Sequence, residues 1–198
     1  MKQKTAILLL HEIYGINQHM KSVIQTLSSS TIDVVCPNLL QHSSPFHYDQ
    51  ETEAYLYFMN NIGFEQGKQQ INSMLTELRN NYASVGVLGF SVGATIAWLC
   101  SEDSRIDFVI GCYGSRIRDY TNIVPKCPTL LLFPANETSF SVSALIESLQ
   151  SKGHPFLKIK QLNGDHGFLD PFSTAHNDVA ANQGYEMIHS FLQNIIEK

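Results

Sequence analysis

The run from Val85 to Ala97, VGVLGFSVGATIA, constrains this chain more than any other feature. An apolar strand enters Gly-Phe-Ser-Val-Gly and leaves as a helical segment, so the turn must be tight. Ser91 then stands on strained backbone, clear of the sheet edge. Gly89 and Gly93 suit the crossing of strand and helix, where side chains would collide. Placed at the helix start, the Val92 amide and the helix dipole face any negative charge that develops beside the Ser91 hydroxyl. The same turn also serves α/β sheets as a packing solution or an anion cradle, so a function has to rest on partners elsewhere in the chain.

Around this turn, short aliphatic runs alternate with segments of helical period, the pattern of a mostly parallel sheet covered by helices on both faces. Strands are predicted at Thr5 to Leu10, Ile32 to Cys36, Ser84 to Phe90, Phe108 to Tyr113, Pro128 to Pro134 and Phe156 to Leu162, each taken as a near-continuous apolar run of a buried parallel strand. Helices are predicted at Asn17 to Leu27, Gln50 to Arg79, Val92 to Cys100, Val142 to Lys152 and Asp178 to Ile196, with Gly63 and Gly67 interrupting the second. Gln41 to Asp49, rich in turn formers and aromatics, reads as a loop.

With 198 residues, 43% hydrophobic and 16% charged, the chain can bury one core, and no shift in composition marks a second; a single domain over 1–198 is expected. A net charge of -5 with no run of Lys or Arg gives no footprint for nucleic acid or an anionic membrane. The charged head and short apolar run of MKQKTAILLL fit a buried first strand better than a leader, because no small-residue cleavage site follows. Cys36, Cys100, Cys112 and Cys127 are widely spaced without a C-x-x-C pair, which suits free thiols in the cytoplasm.

A serine hydroxyl needs a base, and the base a third group to orient it, in the chain order Ser, acid, His for this kind of sheet. His166 lies in LNGDHGFLDP directly after the last predicted strand; His154 and His189 read as surface residues, and His176 is a loop alternative. Glu137 is the best-placed acid, just past the apolar run PTLLLFPA, where sites in open parallel sheets are assembled. Asp165, next to His166, reads as a turn carboxylate bonding nearby amides.

With these residues placed, the chain resembles the dienelactone hydrolase family over nearly its whole length. LLLHEIYGIN at Leu8 to Asn17, GFSVGA at Gly89 to Ala94, FVIGCYG at Phe108 to Gly114 and HGFLDP at His166 to Pro171 carry the likeness, in that order. The resemblance implies an α/β-hydrolase fold, an oxyanion hole from the Ile13 and Val92 amides, and Glu12 pointing into the site. A carboxylate at Glu12 could equally accept amides of the following loop. The best-known members carry cysteine where this chain has Ser91 and aspartate where it has Glu137. Their arginines for a substrate carboxylate have no match around Gln41 to Asn60 or just after His166.

The expectation is therefore hydrolysis of a small ester, thioester or lactone by Ser91, His166 and Glu137 through an acyl-enzyme, with a peptidase, an acyltransferase or a noncatalytic binding protein as rivals. Tyr14, Phe46, Tyr113, Phe168 and Arg116 are the candidate pocket residues. No cofactor or metal is expected, since no histidine and carboxylate cluster has ligand spacing along the chain. The expected partner is a small acyl substrate, for a monomer or small homo-oligomer.

Overall fold

The structure, a computed structural model, describes residues 4–196, so all of the charged head before Lys4 and both ends of the expected 1–198 domain lie outside the described residues. Six strands, β1 (Thr5–Leu10), β2 (Ile32–Val35), β3 (Ser84–Phe90), β4 (Phe108–Cys112), β5 (Thr129–Pro134) and β6 (Leu157–Leu162), form one sheet in the order β2-β1-β3-β4-β5-β6. Every pairing is parallel. Parallel neighbours require crossovers, which the helices supply: α1 (Gln18–Leu27), α2 (Glu51–Asn61), α3 (Gly63–Asn81), α4 (Val92–Cys100), α5 (Val142–Gln150) and α6 (Asp178–Ile196).

The alternating side chains of the strands feed two cores. On one face Leu8, Leu10, Val85 and Val87 pack with residues of α2, α3 and α4, while on the other Ile7, Leu9, Leu88 and Phe90 pack with α1 and α6. β1, β3, β4 and β5 run through the middle of the sheet and are buried almost end to end. β6 departs from the expected apolar run. It is an edge strand with Lys158, Lys160 and Gln161 exposed, and its sequence LKIKQL already alternates. β2, at the other edge, is half-buried throughout.

The long helical segment breaks once, at Ile62 and Gly63, where Gly63 takes φ +66°. Gly67 does not interrupt α3. It lies inside that helix because α3 rides close over α4, where a Cβ would come 2.5 Å from Ile96 Cδ1. Sequence had marked both glycines as breakers, but only the first answers a backbone need; the second answers a packing need. Two short 3-10 turns form: Tyr48–Gln50, where the Gln41 to Asp49 loop meets the helix predicted from Gln50, and Ser115–Asp119, after β4.

α4 crosses the sheet more tightly still. A Cβ on Gly93 would lie 2.3 Å from the Leu10 carbonyl oxygen, and one on Gly89 would lie 2.2 Å from the Gly93 oxygen. Backbone cannot rotate away as the tip of Ile96 can. Gly93→Ala should therefore cost about 3 kcal/mol, whereas Gly67→Ala, which also gains helix propensity, should be near neutral. Urea denaturation of the two variants checks the ranking; equal midpoints would contradict it.

Candidate active site

All six strands point their C-terminal ends the same way, and the loops leaving β1, β3, β4, β5 and β6 converge there. Ser91 sits between β3 and α4 with φ 52° and ψ -114°, a strained conformation for a residue with a side chain. It is held by its amide, which donates to the Cys112 carbonyl at 2.9 Å. Its Oγ lies 2.9 Å from His166 Nε2, and His166 Nδ1 lies 2.6 Å from Glu137 Oε1. These two bonds select the tautomer with Nδ1 protonated, so the ring donates to Glu137 and accepts from Ser91.

Glu137 is buried at its carboxylate, while His166 is partly exposed at the cleft. Burial pushes the His166 imidazole down, but the hydrogen bond and charge of Glu137, with Glu12 and Glu51 behind, outweigh it and hold the pKa above the ordinary 6.5. Asp165 is exposed and takes a bond from the Asn136 side chain at 3.0 Å, away from the imidazole chain. His176 pairs with Asp178 instead of entering the site.

The segment leaving β1 is pinned by a residue that sequence reasoning passed over. His11 is fully buried, accepts from the Leu39 amide at its Nε2 (3.0 Å), and through Nδ1 meets the Glu12 carbonyl at 2.6 Å. Burial pushes its pKa down, so the neutral ring fits this double role. Ile13, just beyond, lines the same cleft as Ser91 and Val92. Val92 is the first residue of α4, and its N–H has no acceptor within the helix.

Glu12 is buried, and its carboxylate meets the Tyr113 hydroxyl at 2.8 Å. The loop-amide role weighed for it is thus taken by a side chain. Burial pushes its pKa up, but neighbouring His19, the Tyr113 hydroxyl and His166 more than offset that and keep it below the usual carboxylate value. Tyr113 itself adopts φ 45° at the end of β4, and its ring stands edge-on to His166 at 5.1 Å between centroids.

The cleft has a volume of about 430 Å³. Of the expected pocket residues, Tyr14 and Arg116 line it. Tyr113 and Phe168 are fully buried, their rings edge-to-face at 5.6 Å, with Tyr113 against His166. Phe46 is placed elsewhere, against His42 and Tyr57, because its segment folds back over the first loop. Arg116 Nε lies 3.2 Å from an Asp119 oxygen as an ion pair without hydrogen-bond geometry, and Arg118 caps the Ser115 carbonyl and lies over Phe140.

Tyr48 and Asp170 also line the cleft, joined by a 2.5 Å bond from the tyrosine hydroxyl to the carboxylate. The sequence offers Tyr48 among the aromatics of an acyl pocket, but its bond to Asp170, which the sequence marks only within HGFLDP, has no signal there. His19, fully buried behind them on α1, carried no signal beyond its helical position.

A parallel sheet with a strained serine between strand and helix is the architecture of the α/β-hydrolases. The model of the dienelactone hydrolase family matches residues 1–196, and the chain belongs to that family, a family of hydrolases. It is 40% identical over 177 residues to the uncharacterized protein YczH of Bacillus subtilis (strain 168), covering 89% of this chain and 87% of that one. It is 22% identical over 204 residues to the carboxymethylenebutenolidase of Pseudomonas putida, covering 97% and 86%. Among solved structures, a dienelactone hydrolase-like promiscuous phosphotriesterase from metagenomic libraries superposes with TM-score 0.75 at 13% identity, covering 98% of this chain and 88% of that one. An esterase of Pyrococcus furiosus gives 0.66 at 18%, covering 98% and 82%.

The imidazole between Ser91 and Glu137 offers a direct measurement. Its NMR titration should have a midpoint above 6.5, and Glu137→Gln should lower that midpoint. A native midpoint at or below the ordinary value would contradict the arrangement.

Proposed function

We propose that this hydrolase cleaves a small ester, thioester or lactone by nucleophilic catalysis at Ser91. The observation that carries the reading is the continuous chain Ser91 Oγ, His166 Nε2, His166 Nδ1, Glu137 Oε1, at 2.9 and 2.6 Å. His166 takes the Ser91 proton as Oγ attacks the carbonyl carbon, and Glu137 stabilises the imidazolium that forms. The Ile13 and Val92 amides receive the oxyanion. Collapse expels the alcohol, thiol or ring oxygen with a proton from His166. Water, deprotonated by the same imidazole, then releases the acid and restores Ser91. Glu12 acts as a positioning residue, holding Tyr113 behind the imidazole.

The reading extends to selectivity. Glu12, Glu51, Glu137 and Asp170 line the cleft, and its one lining arginine, Arg116, already faces Asp119. A substrate carboxylate left unpaired there would cost a few kcal/mol, so uncharged acyl groups fit better than carboxylate-bearing lactones. The partner is thus a small neutral acyl compound met in the cytoplasm, where Cys36, Cys100, Cys112 and Cys127 remain the free thiols they are in this fold.

A fluorophosphonate should label Ser91, and Ser91→Ala should lower kcat by about three orders of magnitude or more with the fold intact. An adduct on another serine, found by peptide mass spectrometry, would refute the mechanism. Glu137→Gln should lower kcat far more than Asp165→Asn, in assays with p-nitrophenyl acetate. Because the imidazole must be neutral to act as base and its pKa is raised, kcat/KM should fall as pH drops through a value above 6.5. For a neutral ester against its ω-carboxylate analogue of equal length, kcat/KM should favour the neutral one; a preference for the anion that Arg116→Ala abolishes would reverse the assignment.

A further inference from the structure

Behind the cleft, one atom each of Glu12, His19 and Asp170 lie within 4.8 Å of one another. We propose that these three side chains bind one divalent transition-metal ion. His19 Nδ1 stands 3.6 Å from Asp170 Oδ2 and 3.9 Å from Glu12 Oε2. Those separations exceed the reach of about 3.2 Å for an N–H to oxygen hydrogen bond. Accordingly, neither His19 ring nitrogen has a hydrogen-bond partner among the described residues, although the side chain is 0% exposed. An imidazole nitrogen without a hydrogen bond, aimed between two buried carboxylates, is a costly arrangement unless positive charge lies there, as a proton on the ring or as a metal ion in its place.

The two separations from His19 Nδ1 suit an ion. Ligand atoms each about 2.0–2.2 Å from one metal lie roughly 3–4 Å from each other. The other lone pairs of the carboxylates are already directed. Glu12 Oε1 takes the Tyr113 hydroxyl, Asp170 Oδ1 takes the Phe172 amide, and Asp170 Oδ2 takes the Tyr48 hydroxyl. The His19 ring is fixed edge-on to Phe90 at 4.9 Å. Such outer partners hold ligands in orientation before a metal arrives. One imidazole with two carboxylates favours ions of the zinc, manganese and iron class over calcium or magnesium, whose sites are built from oxygen. Glu12 and Asp170 line the cleft while His19 does not, so an ion would enter from the cleft side.

The site does not depend on the proposed chemistry of Ser91, which fluorophosphonate labelling reads separately. The test uses full-length, tag-free protein, stripped with chelator, dialysed against micromolar zinc chloride and analysed for metal by plasma mass spectrometry. About one zinc per chain is expected, and His19→Gln and Asp170→Asn should each weaken retention at least tenfold while circular dichroism shows a native fold. X-ray absorption of the zinc-loaded wild type, which needs no variant, should show a single imidazole among oxygen donors. Absence of stoichiometric zinc overturns the proposal, leaving the three side chains as an ordinary ion-pair cluster. Zinc that survives both substitutions but is lost in His166→Ala, or a spectrum with two or more imidazoles, also overturns it.

Discussion

The approach of α4 to the end of β1 is the constraint on which the rest of this molecule depends. With no side chain at Gly93, the helix start comes down onto the Leu10 and His11 carbonyls, closer than any Cβ would permit. That is also where the chain leaves β1 toward Ile13. Ile13 and Val92, some eighty residues apart in sequence, therefore line one cleft because a glycine lets backbone meet backbone. A larger residue would separate them and would lower stability as well. Packing and chemistry share the same few atoms here.

Backbone strain recurs along the sheet beside this crossing. Ser91 and Tyr113, both at positive φ, end adjacent strands, and each continues the ladder through its amide, to Cys112 and to Leu132. Parallel neighbours on both sides over-determine their conformations, which is how costly backbone persists at a site. Tyr113 then joins the two halves of the cleft. Its ring supports His166, and its hydroxyl meets Glu12, whose carbonyl His11 holds. Within this relay Tyr113, Glu12 and His11 satisfy one another, so the segment carrying Ile13 is fixed by side chains instead of by secondary structure.

Much of this was legible in the sequence because local rules govern it. The strand, turn and helix around Ser91 are contiguous, and Glu137 and His166 each follow a strand end, so alternation alone orders them. What escaped notice depends on distance in the chain. Positions 12, 19 and 170 have no spacing that suggests they meet; they converge because α1 returns beneath the loop that follows β6. Tyr48 and Asp170 are 122 residues apart, and nothing in QHSSPFHYD shows that its tyrosine would reach the histidine loop. Gly67 was misread for a related reason. Its need comes from Ile96 on another helix, and a helical breaker and a helical contact point have the same one-letter signature.

The strand that hands over His166 is also the last in the sheet, with one edge unpaired by any strand among the described residues. An open edge is a template on which another chain can lay a strand, and in a crowded solution that begins aggregation. β6 carries Lys158 and Lys160 exposed along that edge. A neighbouring copy adding there would bring like charges together and strip them of water. The alternation that made β6 look unlike its buried neighbours thus has a colloidal consequence: two lysines along the open edge oppose the addition of a seventh strand from another copy.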